Sequence, residues 1–247
     1  MNNLSETFEY QVPSDWCEAN CPDRKKVLFY MGNLSLHDRA LVNSVIHHDE
    51  YGLLKLTNIE PLVFLDIGAH AGSFAVMVKT LWPNARVHCF EPNPCVLPIL
   101  YKNASCYSDV IVHPYAISEK KLSWISVPEG QYGPDIGASA TVDEDHLNIS
   151  GRKSYKIQSI GINEAIEMTK EKEFGLVKWD CEGAEWEAFE SMFDLNRLKI
   201  KHMVGEWHNG TGIDFLKMAK KCFSNFNFDS ITDANLGQGR FAGNFSS

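Results

Sequence analysis

The densest group of residue types that could take part in chemistry lies at residues 65–72, Leu-Asp-Ile-Gly-Ala-His-Ala-Gly. An apolar run precedes this stretch and helical spacing follows it, which predicts a turn between a strand and a helix. Gly68 and Gly72 permit a tight turn and let a ligand approach the main chain at the helix N-terminus. Positions 70 and 73 are not glycine, which disfavours a dinucleotide fingerprint. A glycine turn that serves only packing remains an alternative.

A second candidate binding residue, Glu91, ends the next predicted strand, Arg-Val-His-Cys-Phe-Glu-Pro. A carboxylate at this position can accept hydrogen bonds from both hydroxyls of an adenosine ribose, and it repels a 2′-phosphate. The alternative is a solvated carboxylate at a strand end. The order of glycine turn and acidic strand end favours a nucleoside site.

A third group of polar residues follows two later strands. Asp180 and Glu182 come after Phe-Gly-Leu-Val-Lys-Trp, and Glu206 and His208 end Lys-His-Met-Val-Gly-Glu-Trp-His. Carboxyl ends of parallel strands meet at one edge of a sheet, so we expect these side chains to converge there. His208 could accept a proton and Asp180 could orient it, with Glu182 as the next candidate base. A purely structural histidine is the rival interpretation, and we assign Glu185 to the helix N-terminus.

The elements that must position these residues alternate between strands and helices. Strands are predicted at residues 62–68, 86–92 and 109–118, with helices between them, and this alternation predicts an α/β protein with a parallel, doubly wound sheet. Ser35 caps a predicted amphipathic helix. The segments Phe-Asn-Phe-Asp-Ser-Ile and Gly-Arg-Phe-Ala-Gly-Asn-Phe predict a terminal hairpin.

Composition limits the class of protein. The 247 residues carry a net charge of −9 and no run of more than three basic residues, which argues against a nucleic-acid partner. No continuous apolar run exceeds five residues, which predicts neither a membrane span nor a signal peptide. Seven cysteines without paired spacing fit reduced thiols, so we expect a cytoplasmic protein. We predict an N-terminal extension with one helix at residues 1–55, lying on the surface or forming a lid, and one main domain at 56–247.

Four blocks together carry a family resemblance. They are Asp66-Ile-Gly-Ala-His-Ala-Gly72, Phe90-Glu-Pro-Asn-Pro94, Tyr115-Ala-Ile-Ser118 and Lys178-Trp-Asp-Cys-Glu-Gly-Ala-Glu185. In this order they resemble the FkbM-type branch of class I S-adenosylmethionine-dependent methyltransferases. The departures are His70, where the family often has Asn, and Trp179 and Cys181, where it has aliphatic residues.

The resemblance implies a Rossmann-like fold, with a mostly parallel seven-stranded sheet, an antiparallel last strand and helices on both faces. It implies methyl transfer from S-adenosylmethionine to a hydroxyl of a sugar, glycan or secondary metabolite. It does not imply a metal, and we expect none. The resemblance also implies which residues bind the cofactor. Asp66 would hold polar groups of the cofactor, the backbone of Gly68, Ala69, His70 and Gly72 would approach the methionine moiety and the ribose, Glu91 would bind the ribose hydroxyls, and Ala116 and Ile117 would flank the adenine. An NAD-linked oxidoreductase and a non-catalytic nucleoside-binding module remain alternatives.

Overall fold

A computed structural model describes residues 16–20, 26–56, 59–121, 124–128, 139–141, 151–181, 185–191, 199–208, 212–222, 226–231 and 238–245. The helices are α1 (Leu36–His48), α2 (Ser73–Leu81), α3 (Leu97–Ala104), α4 (Ile162–Thr169), α5 (Glu185–Ser191) and α6 (Gly212–Cys222), with a short 3-10 helix at Leu53–Lys55. The strands are β1 (Trp16–Asn20), β2 (Lys26–Tyr30), β3 (Val63–Ile67), β4 (Arg86–Phe90), β5 (Val110–His113), β6 (Ala116–Ile117), β7 (Trp124–Pro128), β8 (Ser139–Thr141), β9 (Arg152–Lys156), β10 (Ser159–Ile160), β11 (Glu173–Trp179), β12 (Lys199–His208), β13 (Phe226–Ile231) and β14 (Gln238–Phe245).

The central sheet has the strand order β13-β14-β12-β11-β3-β4-β5. Pairing is parallel from β12 through β11, β3 and β4 to β5, whereas β14 is antiparallel to both of its neighbours, β12 and β13. The α/β fold class with a mostly parallel sheet is therefore confirmed, and so is the terminal hairpin. This order brings the carboxyl ends of β3, β4, β11 and β12 to one edge of the sheet.

Two apolar cores cover the two faces of the sheet. Phe64 packs in one core with residues of α1, α2 and α3, while its neighbour Leu65 packs in the other core with residues of α4, α5 and α6. Successive strand residues point to opposite faces, so this division places three helices on each side of the sheet. No helix in the described part of the chain is long and apolar enough to cross a membrane.

The segment before β3 packs against the same core as the sheet. Ser35 caps α1 in a reciprocal capping box with Asp38, as its position in the sequence predicts. Phe29 of β2 and Val42 and Ile46 of α1 are buried in the core that also contains α2. The predicted division of the chain at residues 55 and 56 stays a prediction.

The third predicted strand, residues 109–118, is in fact two strands in different sheets. β5 ends at His113, where Tyr115 donates its N–H to the His113 carbonyl at 2.9 Å in a tight turn. Pro114 has no N–H, so it cannot continue the hydrogen-bond ladder. β6 then pairs in parallel with β10, outside the central sheet.

Candidate functional site

The turn after β3 is held in place by the ends of two neighbouring strands. Gly68 has φ +76°, and a Cβ there would come within 1.6 Å of the Asp180 carbonyl oxygen, so only glycine fits. Gly68 and Ala69 both donate their N–H groups to the Phe90 carbonyl at 3.0 Å. Gly72, with φ +90°, is the N-cap of α2. The predicted strand, turn and helix are confirmed.

Glu91 lies against this turn and is buried. One of its carboxylate oxygens accepts the His70 N–H and the other accepts the Asn93 N–H, each at 2.8 Å. Burial raises the pKa of Glu91, and the hydrogen bonds from the Asn93 and His70 backbone oppose that rise. His70 Nε2 lies 3.2 Å from the buried Asp38 carboxylate of α1. The carboxylate therefore braces the turn, and its contact with a ribose stays a prediction.

Asp66 is fully buried and forms an ion pair with Lys178 of β11, whose Nζ lies 3.2 Å from Asp66 Oδ1. Burial raises the pKa of Asp66, and the Lys178 charge opposes this. Burial also acts to lower the pKa of Lys178, but the carboxylates of Asp66 and Asp180 outweigh it and raise that pKa. Lys178 donates to the Gly68 carbonyl at 2.6 Å. The role of Asp66 toward a cofactor stays a prediction, because its partner in the structure is Lys178.

The carboxyl ends of β11 and β12 bring Asp180, Glu206 and His208 together. One possible donor atom from each lies within 4.8 Å of the others, so these three side chains could hold a metal ion. His208 Nε2 is 3.7 Å from Glu206 Oε2. The fourth predicted residue, Glu182, lies outside the described residues. The structure thus gathers three of the four residues at one edge, and their catalytic roles stay predictions.

Three residues at this edge are distant in sequence and carry no motif. Tyr51 donates its hydroxyl to Asp180 Oδ2 at 3.0 Å, and burial raises the pKa of Tyr51 well above its usual value, with Asp180 adding to the effect. Arg240 of β14 links Glu206, at 3.1 Å, to Glu50, at 2.5 Å. None of the three was predicted from the sequence, because their partners Asp180 and Glu206 are far away along the chain.

His208 also contacts a buried acid on its other ring nitrogen. His208 Nδ1 lies 3.0 Å from Glu185 Oε1, and Glu185 is fully buried in the first turn of α5. The same oxygen accepts the Cys181 N–H at 3.0 Å. Glu185 was expected to serve the helix N-terminus; it lies in the first turn of α5, but its carboxylate accepts the N–H of Cys181, just after β11, and contacts His208.

The family is decided by a sequence match over most of this architecture. The family described as "Methyltransferase FkbM domain" matches residues 66–228. The chain belongs to the FkbM methyltransferase family. This confirms the resemblance carried by the four sequence blocks, and it makes methyl transfer the activity of the family to which the chain belongs.

Solved methyltransferase structures are similar to this chain at low sequence identity. Protein yhhF from Escherichia coli, to which a methyltransferase activity is ascribed, is 11% identical, with 94% of this chain and 99% of that chain covered and a TM-score of 0.51. Magnesium protoporphyrin IX methyltransferase from Synechocystis PCC 6803, with bound S-adenosylmethionine, is 10% identical, with 85% and 81% covered and a TM-score of 0.47. The comparison with curated proteins finds no match.

The FkbM match includes most of the site but not all of it. Asp66, Glu91, Asp180 and His208 lie inside the matched range. The contacts made by Tyr51, Glu50 and Arg240 come from outside it, from the segment before β3 and from the last strand. The family region therefore contains the glycine turn and the polar strand ends, and the flanking segments add the residues that contact Asp180 and Glu206.

Ala116 and Ile117, predicted beside the adenine, are buried in β6. The Ala116 N–H donates to the Gln158 carbonyl at 2.9 Å, and the Ser118 N–H donates to the Ile160 carbonyl at 3.0 Å. These main-chain groups hold β6 to β10. Their role in adenine binding stays a prediction.

Proposed function

We propose that this FkbM-family chain uses S-adenosylmethionine to methylate a hydroxyl group of a sugar, glycan or secondary metabolite. We choose oxygen as the methyl-accepting atom because His208 lies beside Glu206 and close to Asp180, at the same edge of the sheet as the glycine turn. A hydroxyl must lose a proton during methylation, and an imidazole is suited to accept it near neutral pH.

The residues present suit this cofactor. Glu91 stands at the carboxyl end of β4 next to the glycine turn, where a carboxylate can accept hydrogen bonds from ribose hydroxyls. Its two oxygens each accept one main-chain N–H within the described residues, and a carboxylate has about four acceptor positions. The N-terminus of α2 beside Gly72 would face the methionine carboxylate.

The acceptor side combines groups that accept and donate hydrogen bonds. Asp180, Glu206 and His208 offer acceptor atoms, and the Arg240 guanidinium offers N–H donors. Such a mixed wall suits a substrate with several hydroxyl groups, which both donate and accept. This supports a sugar or a similar polyhydroxyl compound as the acceptor class.

S-Adenosylmethionine, when bound, supplies a methyl group whose bonding electron pair returns to the sulfonium sulfur as the new oxygen–carbon bond forms. The chain must orient the acceptor oxygen and take its proton. We assign the proton to His208 Nε2. Asp180, held by the Tyr51 hydroxyl, would accept a hydrogen bond from the acceptor and fix its orientation.

Cofactor binding is tested by calorimetry with S-adenosylhomocysteine. Glu91→Ala should weaken binding by about 1–3 kcal/mol, because hydrogen bonds to a charged acceptor disappear. The matched control is Glu173→Ala, which removes an exposed carboxylate at the opposite end of β11. Thermal unfolding of both variants checks that the turn braced by Glu91 has survived. Unchanged affinity in a folded Glu91→Ala protein removes Glu91 from the cofactor site.

Methyl transfer should not need a metal ion. Arg240 Nε lies 3.1 Å from Glu206 Oε1, and Lys178 Nζ lies 3.7 Å from Asp180 Oδ2, so each of these two carboxylates already contacts a cation of the chain, which it shares with Glu50 or Asp66. Transfer of labelled methyl from S-adenosylmethionine to a panel of sugars should therefore continue at the same rate after dialysis against EDTA. Loss of transfer that a single divalent ion restores would show that Asp180, Glu206 and His208 form a metal site.

A further inference from the structure

Two contacts of the buried Glu185 carboxylate, both to described residues, have different roles. Its Oε1 accepts the Cys181 N–H at 3.0 Å, which connects the end of β11 to α5. The same atom lies 3.0 Å from His208 Nδ1 at the end of β12. A helix-capping role explains the first contact but gives no reason for the second.

The geometry defines which ring nitrogen carries the proton. A carboxylate only accepts hydrogen bonds, so neutral His208 must carry its hydrogen on Nδ1 to donate to Glu185. The other nitrogen, Nε2, then presents a lone pair on the side of Glu206, 3.7 Å away. The main chain of His208 is fixed as well, because Trp186 Nε1 donates to the His208 carbonyl at 2.6 Å.

We propose that Glu185 is a positioning residue for His208, an inference that rests on the proposed function of His208 as the proton acceptor. Glu185 fixes the tautomer in which Nε2 can accept the hydroxyl proton. Once Nε2 is protonated, the ring is a cation, and the adjacent carboxylate stabilises that charge. Glu185 does not touch the acceptor; it acts through the imidazole.

The first test is spectroscopic and does not depend on activity. Nitrogen-15 NMR of the histidine-labelled protein should show neutral His208 with its proton on Nδ1, assigned by its loss in His208→Ala. Glu185→Leu, which removes the acceptor, should shift the population toward the Nε2-protonated form that free imidazole side chains favour. A wild-type His208 protonated on Nε2 overturns the inference.

The second test separates positioning from folding. Glu185→Gln keeps the shape and an oxygen that can accept from both Cys181 and His208 Nδ1, so it tests only the loss of the carboxylate charge. We expect its kcat to fall roughly 10–10²-fold, less than on removal of the imidazole, with KM and S-adenosylhomocysteine affinity unchanged. Glu187→Gln, the same change on the same helix at a residue paired with Lys120, should keep wild-type kcat.

The outcomes distinguish this inference from the function on which it rests. Wild-type kcat in both Glu185→Gln, which lacks the charge, and Glu185→Leu, which lacks the acceptor, together with an inactive His208→Ala variant, rejects the positioning role and leaves the base assignment intact. Wild-type kcat in His208→Ala rejects the base assignment itself. A parallel loss of kcat and cofactor affinity in Glu185→Gln, with a lowered unfolding midpoint, assigns Glu185 to the fold alone.

Discussion

Lys178→Met should lower the free energy of unfolding by about 3–5 kcal/mol, because it leaves the fully buried Asp66 carboxylate without its counter-charge. The Lys178 ammonium is itself only 4% exposed and also donates to the Gly68 carbonyl. Its loss should therefore weaken S-adenosylhomocysteine binding as well, since the glycine turn loses a support. Urea denaturation followed by tryptophan fluorescence measures the first effect, and calorimetry measures the second.

Two further variants identify the buried pair as the cause. Lys199→Met breaks another lysine–carboxylate pair between β11 and β12, with Glu173, but both of those side chains are exposed, so its midpoint should stay close to wild type. Asp66→Asn combined with Lys178→Met removes both charges and should recover much of the lost stability. A Lys178→Met protein as stable as Lys199→Met would contradict the buried-charge argument.

Local signals in the sequence predicted the framework of the site. The Ser35 cap, the turn at Gly68 and Gly72 and the strand end at Glu91 each depend on residue types within a few positions, and the structure has all of these elements. Topology then follows from general rules: parallel strands bring Asp180 and His208 to one edge whatever the intervening sequence is. This is why the gathering of polar residues could be expected without coordinates.

Contacts between distant segments could not be predicted in the same way. Tyr51 reaches Asp180 across 129 positions, and nothing near residue 51 indicates that partner. A lysine inside the apolar strand Phe-Gly-Leu-Val-Lys-Trp was a signal of a buried ion pair, but it did not indicate which carboxylate would face Lys178. The division of residues 109–118 between two sheets depended on Pro114, whose missing N–H was the local warning.

The imidazole of His208 is the proposed proton acceptor. Replacing it with alanine should lower turnover roughly 10²–10⁴-fold, because no imidazole remains to accept the hydroxyl proton. Affinity for S-adenosylhomocysteine should be nearly unchanged, since the cofactor contacts proposed for the glycine turn and Glu91 do not include His208. The measurement is kcat for labelled methyl transfer to an acceptor found in the sugar panel, alongside calorimetry on the same preparation.

A matched substitution at an exposed histidine of α1, His37→Ala, should leave turnover unchanged and thereby exclude a general effect of losing an imidazole. Removal of His208 also deprives the buried Glu185 of one hydrogen-bond partner, so His208→Gln, which retains a side-chain donor toward Glu185, should keep the fold and still be inactive. A stable His208→Gln protein with near-wild-type turnover would assign proton acceptance to another group. Glu182, the remaining predicted carboxylate after β11, would be the next residue to replace.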